Sequence, residues 1–158
     1  EVAPRYREYL RLWREAGHPR KPNIGYGTLV YVDETDEQAV AKATPHIVHA
    51  FGQVFGFGDV GGIDPGALVQ TFEKRGELGA AEIARNMTNV DYLVKRNVVF
   101  VGSPQTVAAR IREAAEEGLF NTLFCEFNLG SMSEDDLMRS IRLFGTRVIP
   151  ELRGFEPF

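Results

Sequence analysis

Apolar residues recur at helical spacing from Tyr6 to Ala16 (Tyr6, Tyr9, Leu10, Trp13), and Gly17 with Pro19 stops that helix. The pattern then changes. Ile24 to Val32 (IGYGTLVYV) is rich in β-branched and aromatic residues and predicts a buried strand. Asp33-Glu34-Thr35-Asp36 opens a second helix, with Thr35 or Asp36 as N-cap and Val40, Ala43, Ile47 and Ala50 on its apolar side. Regularity returns at Val98 to Val101, a short apolar strand. Ser103 suits an N-cap and Pro104 the first helical position, and the following helix turns Val107, Ile111 and Ala114 inward until Gly118 ends it. Thr122 to Phe127 predicts a strand and Asn128 to Met132 a loop. Ser133 caps a last helix, on which Leu137, Ile141, Phe144 and Val148 are expected to form one continuous core stripe.

Gly52 to Gly66 differs in kind, with six glycines and interleaved aromatics, and cannot be the interior of a regular element. Leu68 to Lys74 and Ala80 to Lys95 predict two helices. Residues 52–97 therefore read as a Gly-rich insertion or lid within a single domain spanning 1–158. Strand-then-helix alternation implies a parallel α/β sheet with helices packed on it. Three strands fit either an open doubly wound sheet or part of a (β/α)8 barrel, which needs eight strands and typically about 250 residues. The chain starts at Glu1 without Met and reads at once into a helix, which points to a piece cut from a longer protein or to a trimmed tag.

Composition narrows the partners. A net charge of −4 with dispersed basic residues argues against nucleic acid or an anionic membrane surface. No apolar stretch approaches the roughly 18–20 residues of a membrane span. A single cysteine, Cys125, excludes an internal disulfide and fits a reducing, cytoplasmic setting.

The stretch from Val101 to Arg153 (VGSPQTVAARIREAAEEGLFNTLFCEFNLGSMSEDDLMRSIRLFGTRVIPELR) resembles the C-terminal end of bacterial-luciferase-like flavin-dependent monooxygenases. The features that match are the VGSP turn, the strand ending in Phe127-Asn128, Gly130-Ser131-Met132, and the tail from Ser140 to Arg153. Tyr31 to Ala43 (YVDETDEQAVAKA) resembles the sixth strand and following helix of that family. The resemblance implies the C-terminal portion of a (β/α)8 TIM barrel, incomplete in this chain. It also implies reduced FMN and O2 as reactants with a small organic substrate, and a separate flavin reductase for the parent enzyme. Alternatives within the resemblance are a deazaflavin-dependent oxidoreductase and a non-catalytic flavin-binding barrel subunit. The family's flavin phosphate loops would precede Glu1, so the isolated chain is expected to be inactive. Strand edges left open by an incomplete barrel are expected to pair, giving a homo-oligomer.

The candidate sites follow from charge and position. The second and last helices begin with Asp33, Glu34, Asp36, Glu37 and with Glu134, Asp135, Asp136, which repel a phosphate. Only the start at Ser103 is neutral, so Ser103 is either a cofactor-binding position or a simple cap. Phe127, Asn128, Gly130 and Met132 follow the last strand, where a barrel exposes its active face. They read either as substrate-pocket lining or as a turn serving itself. His46 and His49 are spaced like two metal ligands, but no third ligand matches them, so no metal is expected. Cys125 reads as an inert thiol. Sulfonate-oxidising relatives carry basic residues on the strand corresponding to Ile24–Val32. Their absence here points to a neutral substrate.

Overall fold

The computed structural model describes residues 2–51, 64–117 and 120–157. Helix α1 (Val2–Glu15) leads into strand β1 (Gly25–Val32) and helix α2 (Asp36–His49). Three short helices follow: α3 (Pro65–Lys74), α4 (Leu78–Arg85) and α5 (Val90–Lys95). The chain continues through β2 (Phe100–Gly102), α6 (Pro104–Glu116), β3 (Thr122–Glu126), α7 (Glu134–Leu143), a π-helical turn (Phe144–Val148) and α8 (Ile149–Leu152).

The helix starts follow the sequence. Oxygen atoms of Thr35, Ser103 and Ser133 accept the backbone N–H groups of Gln38, Thr106 and Asp136, each satisfying one orphan donor of a first turn. The expected helix Ala80–Lys95 is two helices, because Asn89 caps a new start by accepting from Tyr92 N–H. The glycine-rich part of the expected insertion, 52–63, lies outside the described residues. The rest of it, 64–97, forms α3 to α5. Val90, Leu93 and Val94 of α5 are core residues, packed with Ile47 and Val99.

β1 pairs in parallel with both other strands, with Val30 to Val32 against Phe100 to Gly102 and Gly25 to Leu29 against Thr122 to Glu126. The order is β2-β1-β3. In a closed (β/α)8 barrel consecutive strands are neighbours. Here β2 and β3 flank β1 in a small parallel sheet, and the described residues by themselves do not show the expected arc of a barrel. Crossovers to parallel strands are right-handed, so connections running in opposite directions across a sheet lay their helices on opposite faces. The core accordingly has two halves. One packs α2, α5 and Leu129 against Leu29, Tyr31, Val99 and Val101. The other packs α1, α6 and the chain's end against Val30, Val32 and Phe100. Covering both faces explains why Leu29 to Val32 is apolar without alternation.

The expected stripe on the last helix is corrected. Ile141 is exposed, Leu137 and Phe144 are half-buried, and the buried positions are Ser140 and Val148. The π-helical turn is the cause. The Ile149 N–H bonds back to Phe144 O, one residue further than in an α-helix, and this rotates the inward face.

Candidate functional site

β1 begins Gly25-Tyr26-Gly27, and the two glycines leave one face of the strand bare. The Phe124 ring of β3 fills that space: a Cβ at Gly25 would lie 2.5 Å from it. Phe124 nevertheless stays 63% exposed. Around it lies a cavity of about 500 Å³ lined by Tyr26, Gly27, Thr28, Leu29, Phe51, Val98, Phe124, Cys125 and Glu126. The polar groups of the wall are largely engaged. The Tyr26 hydroxyl donates to Asn97 O at 2.9 Å, the Thr28 hydroxyl to Val98 O at 2.6 Å, and one Glu126 carboxylate oxygen accepts Asn128 N–H at 3.0 Å. Among the described residues Glu126 is the one charged residue of this lining. Burial pushes the Cys125 thiol up to about 11, which keeps it protonated and poorly nucleophilic at neutral pH.

The five positions singled out by sequence lie elsewhere. Ser103 caps α6, and its backbone N–H donates to Asp36 Oδ1 at 2.6 Å while Thr106 Oγ1 donates to Asp36 Oδ2 at 2.9 Å. The start of α6 thus holds a carboxylate of this chain where an anion would sit. Phe127 packs edge-on against Phe144, with ring centroids 5.2 Å apart. Asn128 accepts Gly130 N–H at 3.0 Å, closing a turn in which Gly130 has φ +84°. Met132 packs against the other half of the core from Phe127. The four loop residues are therefore not gathered on one wall. His46 Nδ1 lies 2.7 Å from Ser131 Oγ, tying α2 to the same loop.

A charged constellation that the sequence reading missed stands past the end of β1. Asp33 is buried, and Lys42 Nζ reaches its carboxylate at 2.8 Å and that of Asp136 at 3.2 Å. Burial alone raises the Asp33 carboxyl. The Lys42 ammonium and the Glu34 N–H outweigh it, leaving the group below the usual aspartate range. Asp136 is lowered by the Ser133 hydroxyl and by Lys42. Burial, then the Asp33 charge, push the Tyr31 hydroxyl up to about 12. In the sequence both aspartates read as cap-region residues, because nothing local brings Lys42 to them.

A family model described as luciferase-like monooxygenase matches residues 1–122. The chain belongs to that family. The match includes Tyr31 to Ala43 and the VGSP turn, and stops before most of the tail that also carried the resemblance. Among solved structures, a similar one is a type II Baeyer-Villiger monooxygenase, the oxygenating constituent of 3,6-diketocamphane monooxygenase from the CAM plasmid of Pseudomonas putida, in complex with FMN. The identity is 21% and the TM-score 0.60, over 95% of this chain and 39% of that one. At this identity the likeness is one of fold. The chain spans well under half the length of that neighbour. No curated protein matches. No helix among the described residues is long and apolar enough to cross a membrane.

Proposed function

We propose that this chain contributes a substrate-side wall to a flavin-dependent monooxygenase, which uses reduced FMN and O2 to oxygenate a small, neutral organic molecule. The observation that carries the reading is the apolar cavity over Gly27, Leu29 and Phe124, in a chain of the luciferase-like family. Apolar walls with few polar groups suit an uncharged organic ligand and keep water from it. Glu126 would repel a carboxylate or sulfonate, and among the described residues no cation lines the cavity to pair with one. The FMN of the solved neighbour supports the cofactor, which when bound supplies the oxygen-activating chemistry.

The starts of α2, α6 and α7 do not fit the flavin phosphate. The starts of α2 and α7 carry Asp36, Glu37, Glu134, Asp135 and Asp136, and the start of α6 is held by the Asp36 carboxylate. In this reading the phosphate is gripped by other parts of the longer protein, and the role of this chain is to shape and dry the substrate side.

Two titrations test this. FMN added to the isolated chain, followed by flavin fluorescence, is expected not to saturate in the micromolar range. The longer protein, given reduced FMN by a separate reductase, is expected to consume O2 with a neutral carbonyl substrate. Replacing Phe124 with Lys there should raise KM for that substrate while leaving FMN affinity unchanged. Saturable micromolar FMN binding by the isolated chain, or a preference for an anionic substrate, would sink the reading.

A further inference from the structure

The turn between α1 and β1 forms a second cleft, of about 290 Å³, at the opposite end of β1 from Asp33. Among the described residues its lining holds Arg14, Arg20 and Lys21 with Trp13 and His18, and no carboxylate. Such a concentration of positive charge stands out in a chain whose net charge is −4. The floor is built rather than incidental. Trp13 Nε1 donates to Arg20 O at 2.7 Å, fixing the turn to the helix, and the His18 ring lies 4.1 Å from the Trp13 ring, tilted by 32°. The nearby acid is spent elsewhere: Glu15 pairs with Arg11. Lys21 reaches the exposed Glu156 at 3.0 Å, a pair that solvent weakens. Among the described residues Arg14 and Arg20 form no ion pair.

Two guanidinium groups and an ammonium around one cleft, unopposed by acid in its lining, match an anion with several oxygens. Guanidinium forks bind phosphoryl oxygens in pairs, and a compact phosphoryl group concentrates more charge than a carboxylate of equal size. We propose that this cleft binds a small phosphoryl-bearing anion, held by Arg14, Arg20 and Lys21 against the Trp13–His18 wall. The site is separate from the cavity at Phe124 and does not depend on the function proposed for it.

Trp13 is the single tryptophan of the chain, so its emission reports on this cleft alone. Pyrophosphate titrated at low ionic strength is expected to change that emission saturably. The variant carrying Arg14→Gln and Arg20→Gln, both at exposed positions, should keep its far-UV circular dichroism and bind at least about tenfold more weakly, a difference of roughly 1.4 kcal/mol. Citrate, also multiply charged but carrying only carboxylates, should bind weaker by a similar factor. No saturable change with pyrophosphate, undiminished binding by the folded double variant, or equal affinity for citrate would each overturn the proposal.

Discussion

The hydroxyl of Ser140, buried on α7, accepts the backbone N–H of Val32 at 2.9 Å. The ladder between β1 and β3 stops at the pair Leu29 and Glu126, short of Val32. A buried N–H there would have no strand partner, and the serine supplies one. This accounts for a polar residue at the most buried position of an otherwise amphipathic helix. Ser140→Ala leaves the donor unsatisfied and is expected to cost about 1–3 kcal/mol. A urea melt checks it: the midpoint should fall while the slope stays the same.

The Asp33–Lys42–Asp136 constellation gives stability a pH signature. Asp33 and Asp136 are depressed from the ordinary 3.8, so the stability they contribute is present above that value and lost as pH falls through their lower folded values. Lys42 is raised from 10.5, chiefly by its bond to Asp33, so its contribution is present below 10.5 and lost as pH rises through the raised value. Asp33→Asn should flatten the acid limb of a plot of melting temperature against pH. Lys42→Met, which strands a buried carboxylate, should destabilise more than Asp33→Asn at neutral pH. Lys42 keeps contact with water, so the loss should fall below the roughly 3–5 kcal/mol of a fully buried pair. Equal losses for the two variants would contradict the arrangement.

What could be read from the sequence was local. Thr35, Ser103 and Ser133 announce their helices because a cap and the N–H it satisfies are three residues apart. The run Leu29 to Val32 declares a strand buried on both faces. The rotation of the last helix was hidden, since nothing in the residue types of Phe144 to Val148 marks the turn there as π rather than α. Strand order was hidden too, because Thr122 gives no sign of which edge of β1 it will join. The sites divide the same way. Asn128 and Gly130 advertise a turn by residue type, whereas Lys42 meets Asp136 only once α2 and α7 have packed.

Gly102 is required by the carboxylate next to it. A Cβ there would stand 2.9 Å from Asp36 Oδ1 and 3.0 Å from Thr106 Cγ2. Asp36 cannot yield freely, since the Ser103 N–H and the Thr106 hydroxyl both hold it. Gly102→Ala is therefore expected to break these bonds and lower stability by about 1–3 kcal/mol. Asp36→Asn, which keeps the shape and drops the charge, should cost less. Melting temperatures of the two variants, measured side by side at neutral pH, check the ranking.

The last expectation concerns assembly. β3 is an edge strand of the sheet, and in the described residues its outer edge meets no further strand. An exposed edge of this kind is a template for pairing with another chain. Phe124 sits on it with its ring largely in solvent, beside the bare backbone of Gly25 and Gly27, so an apolar surface adjoins the open edge. In the isolated chain, apart from the longer protein in which this surface would face substrate, the simplest way to cover both is a second copy related by a two-fold axis, since one patch then buries itself against its own image. Size-exclusion chromatography with light scattering at micromolar concentration is expected to give a dimer or larger species. Phe124→Lys should shift it toward monomer with little change in the monomer's own fold, because the side chain removed is mostly exposed. A wild-type chain that stays monomeric, with no dye-accessible apolar surface, would refute the pairing.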